Sequence, residues 1–316
     1  MTRQPVVDDV ATGTVTVAEG RLDEAVRAYR HLFGYEVRHE GRLGEQLALT
    51  WGISDPNRSV VVLGAEGEER GLVRFVTGPT PPPAPYGSRG WTALEITVQD
   101  VDSLTERVRS SGYFHVHGEA SDFGFGGLPP AIRASQAIGP AGEQVYLTQV
   151  LATGTSHVRP PPGCDVGALF VAVLLCTDPD EQLEPYVSGL GMNPAWRFEA
   201  AVEVISKQAG LPLDHEYEFI VLAPRGRTRV EVDRFPPDRP ARKHPGGELP
   251  PGFGLLSFYT SDFDAAVTGM RGAGYPPVGP ISTVDTPPYG GGRCAVFTGE
   301  LGEKIELIES LTKETP

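Results

Sequence analysis

The sequence predicts an α+β fold assembled from four copies of one βαβββ unit. Three observations carry that expectation: strand-type alternation that passes directly into helix-type periodicity, a glycine where each helix should stop, and proline-rich seams between the copies.

The first unit opens near Thr14 with GTVTVAEGRLDEAVRAYRHLFGYEV, a strand running into a helix, and its closing strand is LVRFV. The second is the clearest. Leu94, Ile96 and Val98 alternate with Ala93, Glu95 and Thr97, the period of a half-buried strand. Asp100 stands as a helix cap, Val101, Leu104 and Val108 form one apolar stripe, and Gly112 ends it. YFHVHG, AIRASQAI and EQVYLTQV supply three more strands, the last two joined by Gly139-Pro140-Ala141-Gly142. The third unit starts with FVAVLLCTDPDEQLEPYVSGLGM near Val171 and closes with TRVEVD; the fourth starts with LLSFYTSDFDAAVTGMRGAGY near Leu255 and closes with EKIELIES. Between them lie GPTPPPAPYGSRG, RPPPG and FPPDRPARKHPGGELPPG, which suit semi-rigid connections and cannot pair inside a sheet. The expected division is a tail at 1–10, an N-terminal domain at 11–153 (units 11–80 and 90–150) and a C-terminal domain at 166–311 (units 167–235 and 252–310).

Composition narrows the function. Among 316 residues, 27 Lys and Arg face 41 Asp and Glu, a net charge of −14 that repels polyanions, so nucleic acid is not an expected partner. No run approaches the length of a membrane-spanning helix and MTRQPVVDDV is unlike a signal peptide, so the expected location is cytoplasmic, with no membrane partner. Cys164, Cys176 and Cys294 show no Cys-x-x-Cys spacing and read as reduced thiols. Dinucleotide, phosphate-loop and nucleophile-elbow motifs are absent.

From about residue 10 onward the chain resembles the vicinal oxygen chelate superfamily, which includes glyoxalase I, extradiol dioxygenases and bleomycin resistance proteins. SFYTSDFDAAVTGMRGAGY with GELGEKIELIES, and LEITVQDVDSLTERVRSSGY with GPAGEQVYLTQV, carry the resemblance. It implies two tandem domains, each of two βαβββ units forming a curved mixed-sheet cup. It also implies that catalytic members hold a divalent metal in the cup, through side chains from the first and last strand of each unit. Counting back from the glycine after each helix, the first-strand positions fall on Thr14, Ala93, Val171 and Leu255, and the last-strand positions on Arg74, Tyr146, Glu231 and Glu306. Two carboxylates without an imidazole are a thin set for a transition metal, so no cofactor is expected; a divalent ion held by Glu231 and Glu306 is the alternative.

In the first half, alternation turns Glu95 into the cup beside Thr97, with Tyr146 facing it, Arg74 and Thr14 from the first unit, and Gln136 on the neighbouring strand. A desolvated Glu95 can act as a base, with Tyr146 and Arg74 polarising a ligand oxygen. Phe123 and Phe125, in FGFGGLPP, are candidates for contact with an apolar substrate. In the second half the candidates are Glu231, Glu306, Ser257, Tyr259 and His215. His115 and His117 share a strand face but lie off the ligand strands. Three functions stay open: a metal-independent lyase or isomerase acting on a small organic or aromatic compound, a binding protein that sequesters such a ligand, and a metal-dependent dioxygenase or glyoxalase. The assembly expected is a monomer or a homodimer.

Overall fold

A computed structural model describes residues 5–123, 130–151, 159–226, 229–234 and 239–311. The first unit comprises β1 (Asp9–Ala18), α1 (Leu22–Phe33), β2 (Glu36–Arg42), α2 (Glu45–Trp51), β3 (Ser59–Gly64) and β4 (Leu72–Gly78). The second comprises β5 (Gly90–Val98), α3 (Val101–Ser111), β6 (His115–Phe123), β7 (Ile132–Ile138) and β8 (Gln144–Val150). The third has β9 (Val166–Cys176), α4 (Pro179–Gln182), β10 (Pro194–Ala201), α5 (Glu203–Ala209), β11 (Glu216–Leu222) and β12 (Val230–Arg234). The fourth has β13 (Gly252–Thr260), α6 (Phe263–Gly272), β14 (Ser282–Thr283), β15 (Arg293–Thr298) and β16 (Lys304–Glu309).

Local chemistry explains the helices. The Asp100 carboxylate accepts from the Ser103 backbone N–H and that of Asp262 from Ala265, capping α3 and α6, while Gly34 and Gly112 end α1 and α3 in the left-handed conformation. The third unit departs from the expected single helix. Pro185 lacks the N–H that would continue α4, and the chain makes a wide π-helical turn over Pro185–Gly189 instead. Two further helices, α2 and α5, interrupt the first and third units after their second strands.

The units combine into two curved mixed sheets of eight strands, in the orders β14-β15-β16-β13-β1-β4-β3-β2 and β10-β11-β12-β9-β5-β8-β7-β6. Units one and four therefore share one sheet, and units two and three share the other. The expected pairing within 11–153 and within 166–311 is replaced by this nested one. Its reason is edge pairing: β1 runs antiparallel to β13 and β5 antiparallel to β9, each joining two units through their opening strands. Periodicity sets which face of a strand is buried but carries no information about which edges meet.

The opening strands separate two environments. Val15, Val17, Leu94, Ile96, Val98, Ala172, Leu174, Leu256 and Phe258 face a shared core with α1, α3 and α6. The alternate residues face two separate hollows, one around Trp51, Leu255 and Tyr289 and the other around Ala93, Tyr146, Val173 and Phe219. Buried carboxyls brace the core: Glu143 and Glu303, in the turns before β8 and β16, each accept a backbone N–H at 2.9 Å, from Ala141 and Leu301. Tyr186 donates to Glu303 at 2.8 Å and Tyr29 lies against Glu143; burial pushes both carboxyls up to about 7. Among the described residues no helix is long and apolar enough to cross a membrane.

The sheets also meet through backbone. Gly71, at φ +62°, accepts from the Leu169 N–H at 2.9 Å and donates to Val10 at 3.1 Å, and a Cβ there would lie 2.1 Å from the Leu169 carbonyl oxygen. Gly71→Ala should therefore lower stability by about 2 kcal/mol or more, read by urea unfolding; an unchanged midpoint would show that this seam is slack.

Candidate functional site

The hollow of units one and four is closed by its own side chains. Arg74, on β4, donates from Nε to Thr14 at 2.9 Å, from Nη1 to Tyr289 at 2.6 Å, and from Nη2 to Ser257 at 3.2 Å and to Glu306 at 2.9 Å. Glu306 also accepts from Ser257 at 2.5 Å, Trp51 at 2.7 Å and Tyr289 at 2.9 Å. The guanidinium lies 4.3 Å from the Trp51 ring centroid, and Arg74, Glu306, Thr14 and Ser257 are all buried. Burial works against the Arg74 charge, but Tyr289 and Glu306 outweigh it and hold its pKa above the ordinary value. Trp51 comes from α2 and Tyr289 from the glycine-rich connection before β15, so both insertions serve as plugs. Tyr259 sits beside this network, donating to the Pro288 carbonyl at 2.7 Å.

The hollow of units two and three is a narrow, half-open cleft with a cavity volume of about 50 Å³. Its polar floor is Glu95, Tyr146, Gln136, Glu231 and Asp233; its walls include Phe123, Phe198, Val202, Ile205 and Phe219. Strand register makes the floor. Glu95 pairs with Tyr146 across β5 and β8, Val173 with Glu231 across β9 and β12, and Asp233 follows Glu231 on the same face. Thr148 donates to Glu95 at 2.6 Å, and the hydroxyls of Tyr146 and Tyr86 are 2.5 Å apart.

The electrostatics of this floor are one-sided. Burial first, then the Glu231 charge, holds the Glu95 carboxyl well above the ordinary carboxylate range, with Thr148 only partly offsetting them. Burial likewise raises Glu231; burial, then Glu231 and Glu95, raises Asp233. Close carboxyls of this kind share protons as a set. The Tyr146 phenol, driven well above its usual pKa by burial and then by Tyr86, is a neutral donor.

The structure redistributes the expected site residues. Glu95, Tyr146, Gln136 and Phe123 share the cleft as anticipated. Arg74 and Thr14 do not: they lie in the other hollow, because unit one pairs with unit four. For the same reason the candidates of the second half are divided, with Glu231 in the cleft and Glu306, Ser257 and Tyr259 around Arg74. His215 is exposed with its ring against Tyr217 and is not among the residues that line the cleft. Thr97 is fully buried beside Thr148 and does not line the cleft; Phe125 lies outside the described residues. Asp233, Tyr86 and Trp51 lie outside the expected set, and only Asp233 carries a sequence signal, its place two residues after Glu231; the glycine run that starts at Tyr289 is a loop the sequence offers for closing over a ligand, and here Tyr289 meets Arg74 and Glu306 instead.

The register also moves the metal-ligand positions. Residues beside the closing-strand groups are Thr14, Glu95, Val173 and Ser257, rather than the Ala93, Val171 and Leu255 obtained by counting back from the helices. A divalent ion fits neither set. In the first hollow a guanidinium already occupies the centre, and in the second the four positions supply two carboxyls, one phenol and a valine, with no imidazole. Among the described residues no three His, Cys, Asp or Glu side chains converge as metal ligands. The Arg74–Glu306 pair makes a stability prediction: Arg74→Met and Glu306→Leu should each lose about 3–5 kcal/mol, whereas the double variant should recover most of it. Chemical denaturation checks this, and single variants within about 1 kcal/mol of the parent would contradict a sealed ion pair.

Comparison with known proteins places this geometry. Residues 168–307 match the model of the family described as the Glyoxalase/Bleomycin resistance protein/Dioxygenase superfamily. A search of the curated proteins finds no match. Among solved structures, a mutant of glyoxalase I from Zea mays superposes with a TM-score of 0.63 at 16% identity, over 95% of this chain and 92% of that one. Glyoxalase I from the same plant gives 0.61 at 16% identity, over 95% and 92%. At that identity the likeness concerns the fold. With four βαβββ units in two curved eight-stranded sheets the chain has the fold of these structures, and its residues 168–307 match the model of the Glyoxalase/Bleomycin resistance protein/Dioxygenase superfamily.

Proposed function

We propose that the chain binds a small organic compound in the cleft of units two and three and moves a proton on it, as a lyase or isomerase that works without a metal. The observation that carries this reading is Glu95: buried, positioned by Thr148, beside a second carboxyl, at the base of an apolar cleft. A carboxyl whose pKa is lifted toward neutrality can both accept and return a proton near working pH. Ionised Glu95 takes the proton from a ligand carbon, and the electron pair left behind forms a double bond. In an isomerisation that pair displaces an adjacent π bond of the ligand, and the same proton returns to the carbon at the far end of the displaced bond. In an elimination the pair expels a leaving group, which takes a proton from water at the open mouth of the cleft. Tyr146 and Gln136 supply hydrogen bonds to a ligand oxygen, the first because its phenol stays protonated.

A second reading, a protein that sequesters its ligand unchanged, is favoured by the walls, where Phe123, Phe198, Val202, Ile205 and Phe219 offer shape and apolar contact without chemistry. Incubating the protein in deuterated water with a panel of aromatic carbonyl and hydroxy compounds separates the two. Exchange or turnover that Glu95→Gln reduces by about 10²–10⁴-fold, with ligand affinity kept, supports the enzyme. Ligands bound but recovered unaltered and undeuterated support sequestration.

The pH profile gives an independent check. A base must be ionised, so the rate should rise with pH across the neutral range, above the window of an ordinary carboxylate. Glu231, Asp233, Tyr146 and Thr148 face Glu95, and the acids among them move that rise upward. A rate already flat from pH 5 would remove Glu95 as the base.

A further inference from the structure

We infer that the ligand of this cleft is an organic cation, a protonated or quaternary amine carried on an apolar, aromatic body. This rests on the reading of the cleft as a ligand site and names the class of ligand. Glu95, Glu231 and Asp233 all line the cleft. Among the described residues, the groups acting on these three are one another and Thr148, with no lysine or arginine. Asp233 is completely buried, no hydroxyl, amide or cationic group donates to either of its carboxylate oxygens, and the group it meets is a second acid, Glu231. Two buried acids that have only each other can share one proton but are costly to ionise together unless something in the functioning state supplies the missing positive charge.

The other hollow shows how this fold satisfies such a group. There the closing-strand carboxyl, Glu306, is met by the guanidinium of Arg74, which also lies over the Trp51 ring and takes hydroxyl partners. In the cleft the corresponding closing-strand residues are Glu231 and Tyr146. The carboxyl is retained, the internal cation is replaced by a phenol, and the space stays open. Aromatic faces are retained too: Phe198 and Phe219 stack at 5.5 Å between centroids, 14° from parallel, with Phe123 on the same cleft. Carboxyls below and ring faces beside are the surroundings that stabilise a desolvated ammonium. An arriving cation also favours the ionised carboxyls, so ligand binding itself would generate the base at Glu95.

Calorimetric titration of the full chain with phenethylamine, 2-phenylethanol and phenylacetate tests this, since the three share a body and differ in charge. The protonated amine should bind at least about tenfold tighter than the alcohol, and the anion should not bind. Asp233→Asn and Glu231→Gln should each remove most of that preference and leave the alcohol within about twofold. Both variants should keep or raise the melting temperature, because each removes an uncompensated buried acid, and either suffices if the other fails to fold. Equal affinity for amine and alcohol would overturn the cation and leave the cleft as a ligand site. Failure of all three probes to bind would overturn the ligand site as well. Mn²⁺ alone binding stoichiometrically and displacing the amine would make the acids a metal site and overturn the inference.

Discussion

The opening strands of the four units meet in antiparallel pairs, β1 against β13 and β5 against β9, and the chemistry of both hollows follows from those two seams. Each seam brings two closing strands to either side of a central strand pair. Arg74 is thereby delivered to Glu306, more than two hundred residues away, and Glu95 to Glu231. Were the units paired in chain order, Arg74 would stand beside Glu95 and neutralise it. The charge left unmatched in the cleft is a consequence of topology as much as of residue choice.

The two hollows treat a buried carboxyl in opposite ways. Glu306 sits among four donors, sealed by α2 and by the connection carrying Tyr289, and that arrangement reads as structure: every polar group named there has a partner. The acids of the cleft are only partly satisfied and border open space. The same fold fills one hollow with a complete network and leaves the acids of the other at the edge of open space.

Much of this was legible before any coordinates. The alternation of Leu94, Ile96 and Val98 with Glu95 follows from strand geometry, and it places Glu95 inward; the cap at Asp100 and the stop at Gly112 follow from helix-end chemistry. What was not legible depends on contacts between distant segments. No local pattern says that β1 prefers the edge of β13. Counting back from the helix ends also misjudged three ligand positions by two residues, because three residues join β1 to α1 but two join β5 to α3, and α1 is longer than α3 and α6. Tyr86 and Trp51 were missed because a linker and an unanticipated helix supply them.

Nesting the first and last units around the middle pair has a consequence for how the chain is born. Thr14 faces Leu255, so the partner of β1 leaves the ribosome roughly 240 residues after it, whereas β5 and β9 emerge close together. The inner sheet can close while synthesis continues, and the opening unit must hold a bare, apolar strand edge until the final unit arrives to cover it. Of the two hollows, the one that waits longest is the one sealed by the densest ionic network, so its closure doubles as the last lock on the finished molecule.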